Sequence, residues 1–540
     1  MKRAVLLVGV VTLLFSSACV GGEDADAPSD PADPKGSDRV VSRRLPCEGI
    51  DRMIERARRG WVPIRAHDIA LLPREPNYIG SAAKPVHTGP WDFLAEVPLL
   101  FYGPGVVERA RIDRAVTLAD VAPSIAEMIG FDFDAPDGRS IVSEHLTGRK
   151  PELVVTIVWD GGGWNALREH SNRWPVLRHI MERGLAFTGA EIGSTPSNTP
   201  PIHTTIGTGA FPRTHGIPAV KMTLADGSYV DPYEGHDADA VKVPTLADLY
   251  DVATENRAVV GLVATVNWHL GMVGHGLNHP GADADLALLM NDRGESYGNP
   301  SVYRVPPATG GSLPDEAGTL DAVDGARDGR WIGHDLTDVA TRYASPAYVS
   351  YQQRVIESFI RTHGMGRDGV ADLLYTNLKS IDDAGHRWGM TSRETGEVIA
   401  ASDRALRRLL SFLDREVGEG RWVIALTADH GQTLYPNESG GWPIGGAELR
   451  GDANDALDRN DDGKDLITRI TSAGAFVAED QLAPNDLTMK EVGRWFVGYT
   501  ASENLKEGAK LPTSWRERKD ERLFDAAVIR DDTAILGCRR

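Results

Sequence analysis

The sequence predicts an α/β fold of three layers, a mostly parallel central sheet with helices on both sides. Two observations carry this. Five apolar runs rich in strand-forming residues are followed by turn or polar residues: "VPLLFY" (97–102), "LVVTIVW" (153–159), "AVVGLVA" (258–264), "DLLYTNL" (372–378) and "WVIALTAD" (422–429). Runs apolar on both faces suit buried parallel strands. Amphipathic stretches at helical spacing lie among them: 117–130, 174–184 and 398–418. Strand and helix alternate, which is the pattern of a sheet covered on both faces.

With 540 residues the chain has room for one large α/β domain or several ordinary ones, and 41% hydrophobic with 25% charged residues is the balance of a soluble globular protein. The net charge of −19 excludes a nucleic-acid surface held by bulk electrostatics. An acidic enzyme still accepts anionic substrates where metal ions reverse the local field.

The front reads as a targeting segment. Lys2 and Arg3 precede an apolar stretch, Ala4 to Phe15, too short to span a bilayer, and "SSAC" ends at Cys19. This resembles a bacterial lipoprotein signal with Cys19 acylated, although Ser16 stands where an aliphatic residue is usual; a plain secretory signal is the alternative. Either reading expects an extracytoplasmic protein, touching a membrane through a lipid anchor only. Residues 20–46 are acidic and rich in Pro and Gly, the composition of a disordered tether. The remaining cysteines, Cys47 and Cys538, lie near the two ends of the folded part and are expected to pair in an oxidising compartment; two unrelated thiols are the alternative.

Residues 271–329 are rich in Gly, Pro and Asp and are expected to form long loops over an active-site face. Residues 466–535 suggest a small βαβ insert or cap. "DRNDDGKD" (458–465) spaces Asp458, Asn460 and Asp462 like half of a calcium loop before Gly463, but Arg469 stands where a bidentate acid is needed. A solvated acidic turn is the favoured reading over a Ca2+ site.

Three acids follow apolar strands: Asp160 in "TIVWDGGGW", Asp382 in "NLKSIDDAGHRWG" with His386 four residues on, and Asp429 in "ALTADHGQT" with His430 beside it. Ligands of open parallel sheets bind at the carboxyl ends of the strands, so these acids should converge. A lone Asp there is more often a turn former or a helix cap; three, two of them with an imidazole, point to a metal centre, and mixed O and N ligands suit zinc. In "STPSNTPPIHTTIGTGAFPRTHGI" (194–217), Thr199 precedes two prolines and a helix-like stretch, so it is expected at a helix N-terminus, as an N-cap or as a reactive group where the dipole favours anions.

Together, Asp160, "TPPIHTTIGTGAFPRTHGI", "DDAGH" and "TADHG" resemble the alkaline phosphatase superfamily, most closely its type I phosphodiesterase/nucleotide pyrophosphatase branch, over about residues 47–540. The resemblance implies an alkaline-phosphatase-like αβα fold and two zinc ions, other divalent ions being possible. One zinc would be held by Asp160, Asp429 and His430 with Thr199 as reacting ligand, the other by Asp382, His386 and a further histidine. In the family that histidine follows "ADHG", but no histidine follows His430 here. "VHTGPWDFLAEVPLLFYGPG", then "TLADVAPSIAEMIG", is similar to the family's closing segment. The chain is therefore expected to be circularly permuted, with His87 as the missing ligand. On this reading 1–19 is a signal, 47–144 the transposed closing part, 145–152 a joint, 153–465 the main catalytic part and 466–540 a cap and closing segment of the same domain. A Cys47–Cys538 bridge would staple the new ends.

The implied activity is hydrolysis of small-molecule phosphate esters, diesters or nucleotide pyrophosphates, through a phospho-threonine on Thr199. A phosphomonoesterase on the same site is the close alternative, and a binding protein on a decayed scaffold the distant one. Sulfatases need a Cys/Ser-x-Pro-x-Arg motif, whose arginine is missing, and the related phosphoglycerate mutases use a serine. Related phosphodiesterases place an asparagine where Val220 stands, and Pro200 has no N–H to offer. Lys221, His269 and His275 are candidate substrate contacts. His203, Thr204 and Thr205 read as helix packing and capping, and Asp383 as a neighbour of the site.

Overall fold

The computed structural model describes residues 49–537 apart from Asp461 and Glu507. Cys19, the tether and the Cys47–Cys538 pair lie outside the described residues.

A nine-stranded sheet forms the centre. From one edge its strands are Ser296–Tyr297, Leu286–Met290, Val260–Ala264, Asp372–Leu378, Leu153–Trp159, Trp422–Thr427, Leu99–Tyr102, Leu185–Glu191 and Ala110–Thr117. Strand Leu153–Trp159 is buried at every position and pairs in parallel with Asp372–Leu378 and Trp422–Thr427. Its alternating residues feed two cores, as the pleat requires. Val154 and Val158 join the helices Val121–Ile129, Thr199–Thr208 and Leu246–Ala253 on one side. Leu153, Val155, Ile157 and Trp159 join Pro175–Arg183, Pro346–Thr362 and Arg393–Leu413 on the other. The three-layer expectation holds.

Three expectations about elements need correction. The run 97–102 supplies strand Leu99–Tyr102, buried as expected, but antiparallel to both neighbours. Apolarity on both faces reports burial and carries no strand direction. Residues 271–329 are more than loops: they hold the buried sheet strand Leu286–Met290 and the helix Leu313–Asp321. "LALLM" has no β-branched residue, so intrinsic preference speaks against a strand that tertiary burial imposes. Residues 466–535 hold the expected strand–helix–strand order, but split: Gly474–Val477 and Phe524–Ile529 run parallel to each other with helix Met489–Gly498 between them in sequence, and Ile69–Pro73, antiparallel to both, lies between them in the sheet. They build an antiparallel sheet, Ile467–Ile470, Gly474–Val477, Ile69–Pro73, Phe524–Ile529 and Ala534–Leu536, with helix Met489–Gly498 sharing its core. The middle strand of this sheet comes from the front of the chain.

The two described ends meet. Helix Ile50–Gly60 buries Ile50, Met53 and Ile54 in one cluster with Ala526 and Val528, and Arg58 donates to the carbonyl of Asp532 at 2.8 Å.

Phe101 lies at the middle of the antiparallel strand, fully buried and edge-on to Phe187 at 6.3 Å. Phe101→Ala is expected to destabilise the protein by about 3–5 kcal/mol, read as a lower denaturant midpoint with an unchanged m-value.

Candidate metal and phosphoryl-transfer site

The carboxyl ends of the parallel strands form one rim. Asp160 directly follows Leu153–Trp159; Asp429 and His430 follow Trp422–Thr427; Lys379 joins Asp372–Leu378 to helix Ser380–Trp388, which carries Asp382 and His386 one turn apart. Strand Leu99–Tyr102 runs the opposite way, with Leu99 paired to Thr427. Its start therefore faces the rim, and the loop before it brings His87 there. The residues expected to act together do meet. His87, Asp382 and His386 offer ligand atoms within 4.8 Å of one another, and so do Asp160, Asp429 and His430. The His87 ring stacks on His430 at 3.6 Å.

Two glycines allow this closeness. Gly161 has φ +69°, and a Cβ on it would come within 3.0 Å of Asp382 Cα; its N–H donates to Asp429 Oδ1 at 3.0 Å. A Cβ on Gly385 would strike the Gln432 side chain at 1.8 Å.

The hydrogen bonds leave lone pairs pointing inward. His87 Nδ1 meets the Ser197 carbonyl at 2.7 Å, and Ser197 Oγ donates to the His87 carbonyl. His430 Nδ1 meets the Gly431 carbonyl at 2.9 Å. In each ring Nδ1–H is the donor to a carbonyl, which leaves Nε2 as a free acceptor. His430 Nε2 and Asp429 Oδ2 are buried with no hydrogen-bond partner. Asp382 Oδ1 lies 3.4 Å from His386 Nε2 and 3.6 Å from His87 Nε2.

Thr199 is the first helical residue of Thr199–Thr208, and Asn198, extended at φ −110° and ψ 149°, takes the N-cap position. The N-cap alternative for Thr199 is thereby corrected: the hydroxyl is not spent on its own helix. Pro200 and Pro201 remove two of the N–H groups that a helix N-terminus would offer an anion, and Ile202 N–H is turned to the Asn198 carbonyl at 3.3 Å. What faces Thr199 Oγ1 instead is Lys379 Nζ at 3.4 Å.

Lys379 is the residue sequence reasoning passed over. Its ammonium donates to Asp382 Oδ2 at 2.6 Å and to Asp160 Oδ1 at 2.9 Å, while Asn377 Nδ2 donates to Asp160 Oδ2 at 3.0 Å. The available signal was a lysine between a largely apolar strand and an acid three residues on, on one helical face. Burial opposes the charge on Lys379, but Asp160, Asp382, Asp383 and Asp429 outweigh it and hold the lysine protonated. Burial, then Asp429, push Asp160 well above the usual carboxylate range. Burial also opposes ionisation of Asp382, yet His386, Lys379 and His87 carry it well below that range. Burial, then His430, keep His87 neutral, and burial brings His386 down to about 4 against the pull of Asp382. Three buried carboxylates and neutral imidazoles thus face a single ammonium. Uncompensated buried charge together with orphaned lone pairs is the signature of divalent-cation sites.

The other candidates fall elsewhere. His269 is fully buried, and its Nδ1 meets His203 Nδ1 at 3.1 Å. His203 in turn puts Nε2 3.4 Å from Asp429 Oδ2. His203 is therefore behind a site acid and not merely packing. Thr204 and Thr205 donate to the Pro200 and Pro201 carbonyls, and Asp383 is a half-buried neighbour raised to about 7 chiefly by desolvation. His275 bonds Asp248 at 2.8 Å. Lys221 lies over Tyr229 at 5.9 Å, and Val220 packs against the core. In 458–465, Asp458 accepts from Leu466 N–H and Asn485 Nδ2, and Arg469 stacks on Tyr229 at 4.0 Å.

Fold and rim define an α/β protein with two adjoining candidate metal centres beside a helix-terminal threonine. The chain belongs to the type I phosphodiesterase/nucleotide pyrophosphatase family, whose model matches residues 154–470, more than half of its length. It is similar to alkaline phosphatase PafA of Elizabethkingia meningoseptica, 25% identical over 333 residues, which cover 52% of this chain and 60% of that one. It is also similar to alkaline phosphatase PhoV of Synechococcus elongatus, 23% identical over 340 residues, covering 54% and 60%. The chain thus spans about 60% of the length of these curated relatives. The crystal structure of wild-type PafA shares the fold, with a TM-score of 0.53 at 20% identity over 67% of this chain and 78% of that one.

His87→Ala removes one imidazole from one ligand set and none from the other. Zinc titration is expected to give one site near wild-type affinity and one weakened by roughly 100-fold or more, with unchanged circular dichroism.

Proposed function

We propose that this protein is an exported, zinc-dependent hydrolase of small-molecule phosphate esters that works through a phospho-threonine on Thr199. The observation that carries the reading is the convergence of Asp160, Asp429, His430, Asp382, His386 and His87 beside Thr199. Bound there, two zinc ions would supply Lewis acidity to the attacking and leaving oxygens. Family membership supports phosphoric ester chemistry, and so do the names of the relatives.

The chain's own groups account for the rest. Thr199 Oγ1 gives its proton to solvent and attacks phosphorus; the new O–P bond forms as the ester P–O bond opposite it breaks, and the leaving alkoxide takes a proton from water and departs as the alcohol. Water then attacks the phospho-threonine, releasing the phosphoryl group and restoring the hydroxyl. An oxygen two bonds from Thr199 Oγ1 falls within reach of Lys379 Nζ. Val220 has no donor, and Pro200 and Pro201 have no N–H, so Lys379 is the donor that steadies the phosphoryl oxygens in the transition state. The ammonium suits a doubly charged phosphoryl group, and this favours phosphomonoester cleavage as the second reading.

We also hold to the circular order of the chain. His87 precedes the region matched by the family model, and its loop leads into a central strand. The leader at 1–19, anchored through Cys19, and a Cys47–Cys538 bridge belong to the same proposal.

Thr199→Ala is expected to abolish turnover of aryl phosphate mono- and diesters while metal content stays near two per chain. Turnover close to wild type in that variant would refute the assignment. The same panel on the wild type ranks the two readings, by whichever ester has the higher kcat/KM. Lys379→Met is expected to lower kcat by about 10²–10³-fold with zinc still bound, measured by steady-state kinetics alongside metal analysis.

A further inference from the structure

A second cluster of acids lies at the opposite, amino-terminal edge of the sheet. Asp285 immediately precedes strand Leu286–Met290, Asp283 stands two residues before it, and Asp251 occupies the last turn of helix Leu246–Ala253. The three offer carboxylate oxygens within 4.8 Å of one another. Asp251 is 0% exposed and Asp285 3% exposed. Both oxygens of Asp251 and Oδ2 of Asp285 have no hydrogen-bond partner; the Asp283 N–H gives Asp251 only a weak contact.

Among the described residues no cationic side chain forms an ion pair with this group, and Arg304 only partly offsets the repulsion at Asp285. Asp251 sits at the negative end of its helix dipole, and that last turn carries no basic residue. The nearby Asp248 is fully used, accepting from Thr245 N–H at 2.8 Å, His275 N–H at 2.7 Å and His275 Nδ1 at 2.8 Å. Arg257 and Arg304 line an adjoining cavity of about 140 Å3 together with Asp283 and Asp285. Arg257 Nε donates to the Thr254 carbonyl at 3.0 Å, and among the described residues neither arginine pairs with the three acids. Burial, then the neighbouring acids, push Asp285 well above the ordinary range, and burial and Asp283 raise Asp251 to about 6. Two buried, unpaired carboxylates side by side are costly.

We propose that Asp251, Asp283 and Asp285 hold one structural Ca2+. All the donors are oxygens, which selects a hard cation. One carboxylate comes from a helix and two from the irregular segment before a strand, a mixed and adaptable set of the kind calcium accepts more readily than the strictly octahedral Mg2+. Asp283, the least buried of the three, and the adjoining cavity give the ion and its waters a way in. The ion would tie the 279–285 segment to the end of helix Leu246–Ala253 and so fix where strand Leu286–Met290 enters the sheet. The site is separate from the rim and does not depend on its chemistry.

The test is equilibrium dialysis of the full chain against radiolabelled Ca2+ with excess Zn2+ present, so that the rim sets are filled. One saturable Ca2+ per chain is expected, with a rise in Tm of about 3 °C at saturation. Asp251→Asn/Asp285→Asn should lose that ion, whereas Asp382→Asn, altered at the rim, should keep it. Should the double variant fail to fold, the single change Asp283→Asn, at the least buried of the three acids, should weaken binding by at least about tenfold. The absence of saturable Ca2+ binding to the wild type at millimolar concentration overturns the proposal, as does undiminished binding by the acid-cluster variants.

Discussion

Three carboxylates buried around one ammonium are the constraint on which this molecule turns. Asp160 and Asp429 follow two strand ends and Asp382 lies in the first turn of the helix after a third, and Lys379 is the only lysine or arginine bonded to any of them in the described structure. Like charges about 4 Å apart repel by roughly 4 kcal/mol even at a moderate effective dielectric. Such a rim cannot be left to flexible loops, and it is not. Gln432 Nε2 donates to the Gly161 carbonyl at 3.0 Å and to the Ile381 carbonyl at 3.2 Å, while Asn165 Nδ2 donates to the Gln432 carbonyl at 2.6 Å. One amide side chain thus laces together the segments that bear the three acids. The scaffold holds the acids in repulsion, and a cation bound at the rim would relieve that electrostatic demand.

Much of this arrangement could be read from residue order alone. Apolar runs ending in Asp are legible because burial and strand ends both leave marks in sequence, and Asp160, Asp382 and Asp429 were found that way. His87 was legible only through family resemblance, since a loop histidine near the front carries no signal of its own partners. Lys379 was missed because a lysine beside a strand normally reads as solvated, and only the fold reveals that four acids surround it. His203 was read as helix packing, which is right for its neighbours Thr204 and Thr205 but not for the side that meets Asp429. Strand Leu286–Met290 was hidden by its Leu, Ala and Met composition. The direction of Leu99–Tyr102 was hidden because burial patterns are the same in either orientation.

The front segment is not an appendage. Ile69–Pro73 is the middle strand of the smaller sheet, flanked by Gly474–Val477 and Phe524–Ile529, and Leu99–Tyr102 is an interior strand of the larger one. Both sheets are therefore completed by residues from opposite ends of the chain. The apolar cluster of helix Ile50–Gly60 with Ala526 and Val528 fastens those ends further.

This threading has a consequence for biosynthesis. Thr427 Oγ1 donates to the Pro98 carbonyl across 329 residues of sequence. A growing polypeptide that has already released its first hundred residues must leave that apolar strand unpartnered on one side until the distant segment emerges. Contacts of such long range form slowly, and waiting segments of this kind are prone to aggregate. Ribosomal synthesis must accordingly be all but finished before the centre of the molecule can close, and a chaperone that shields residues 97–102 in the meantime would raise the yield of native protein.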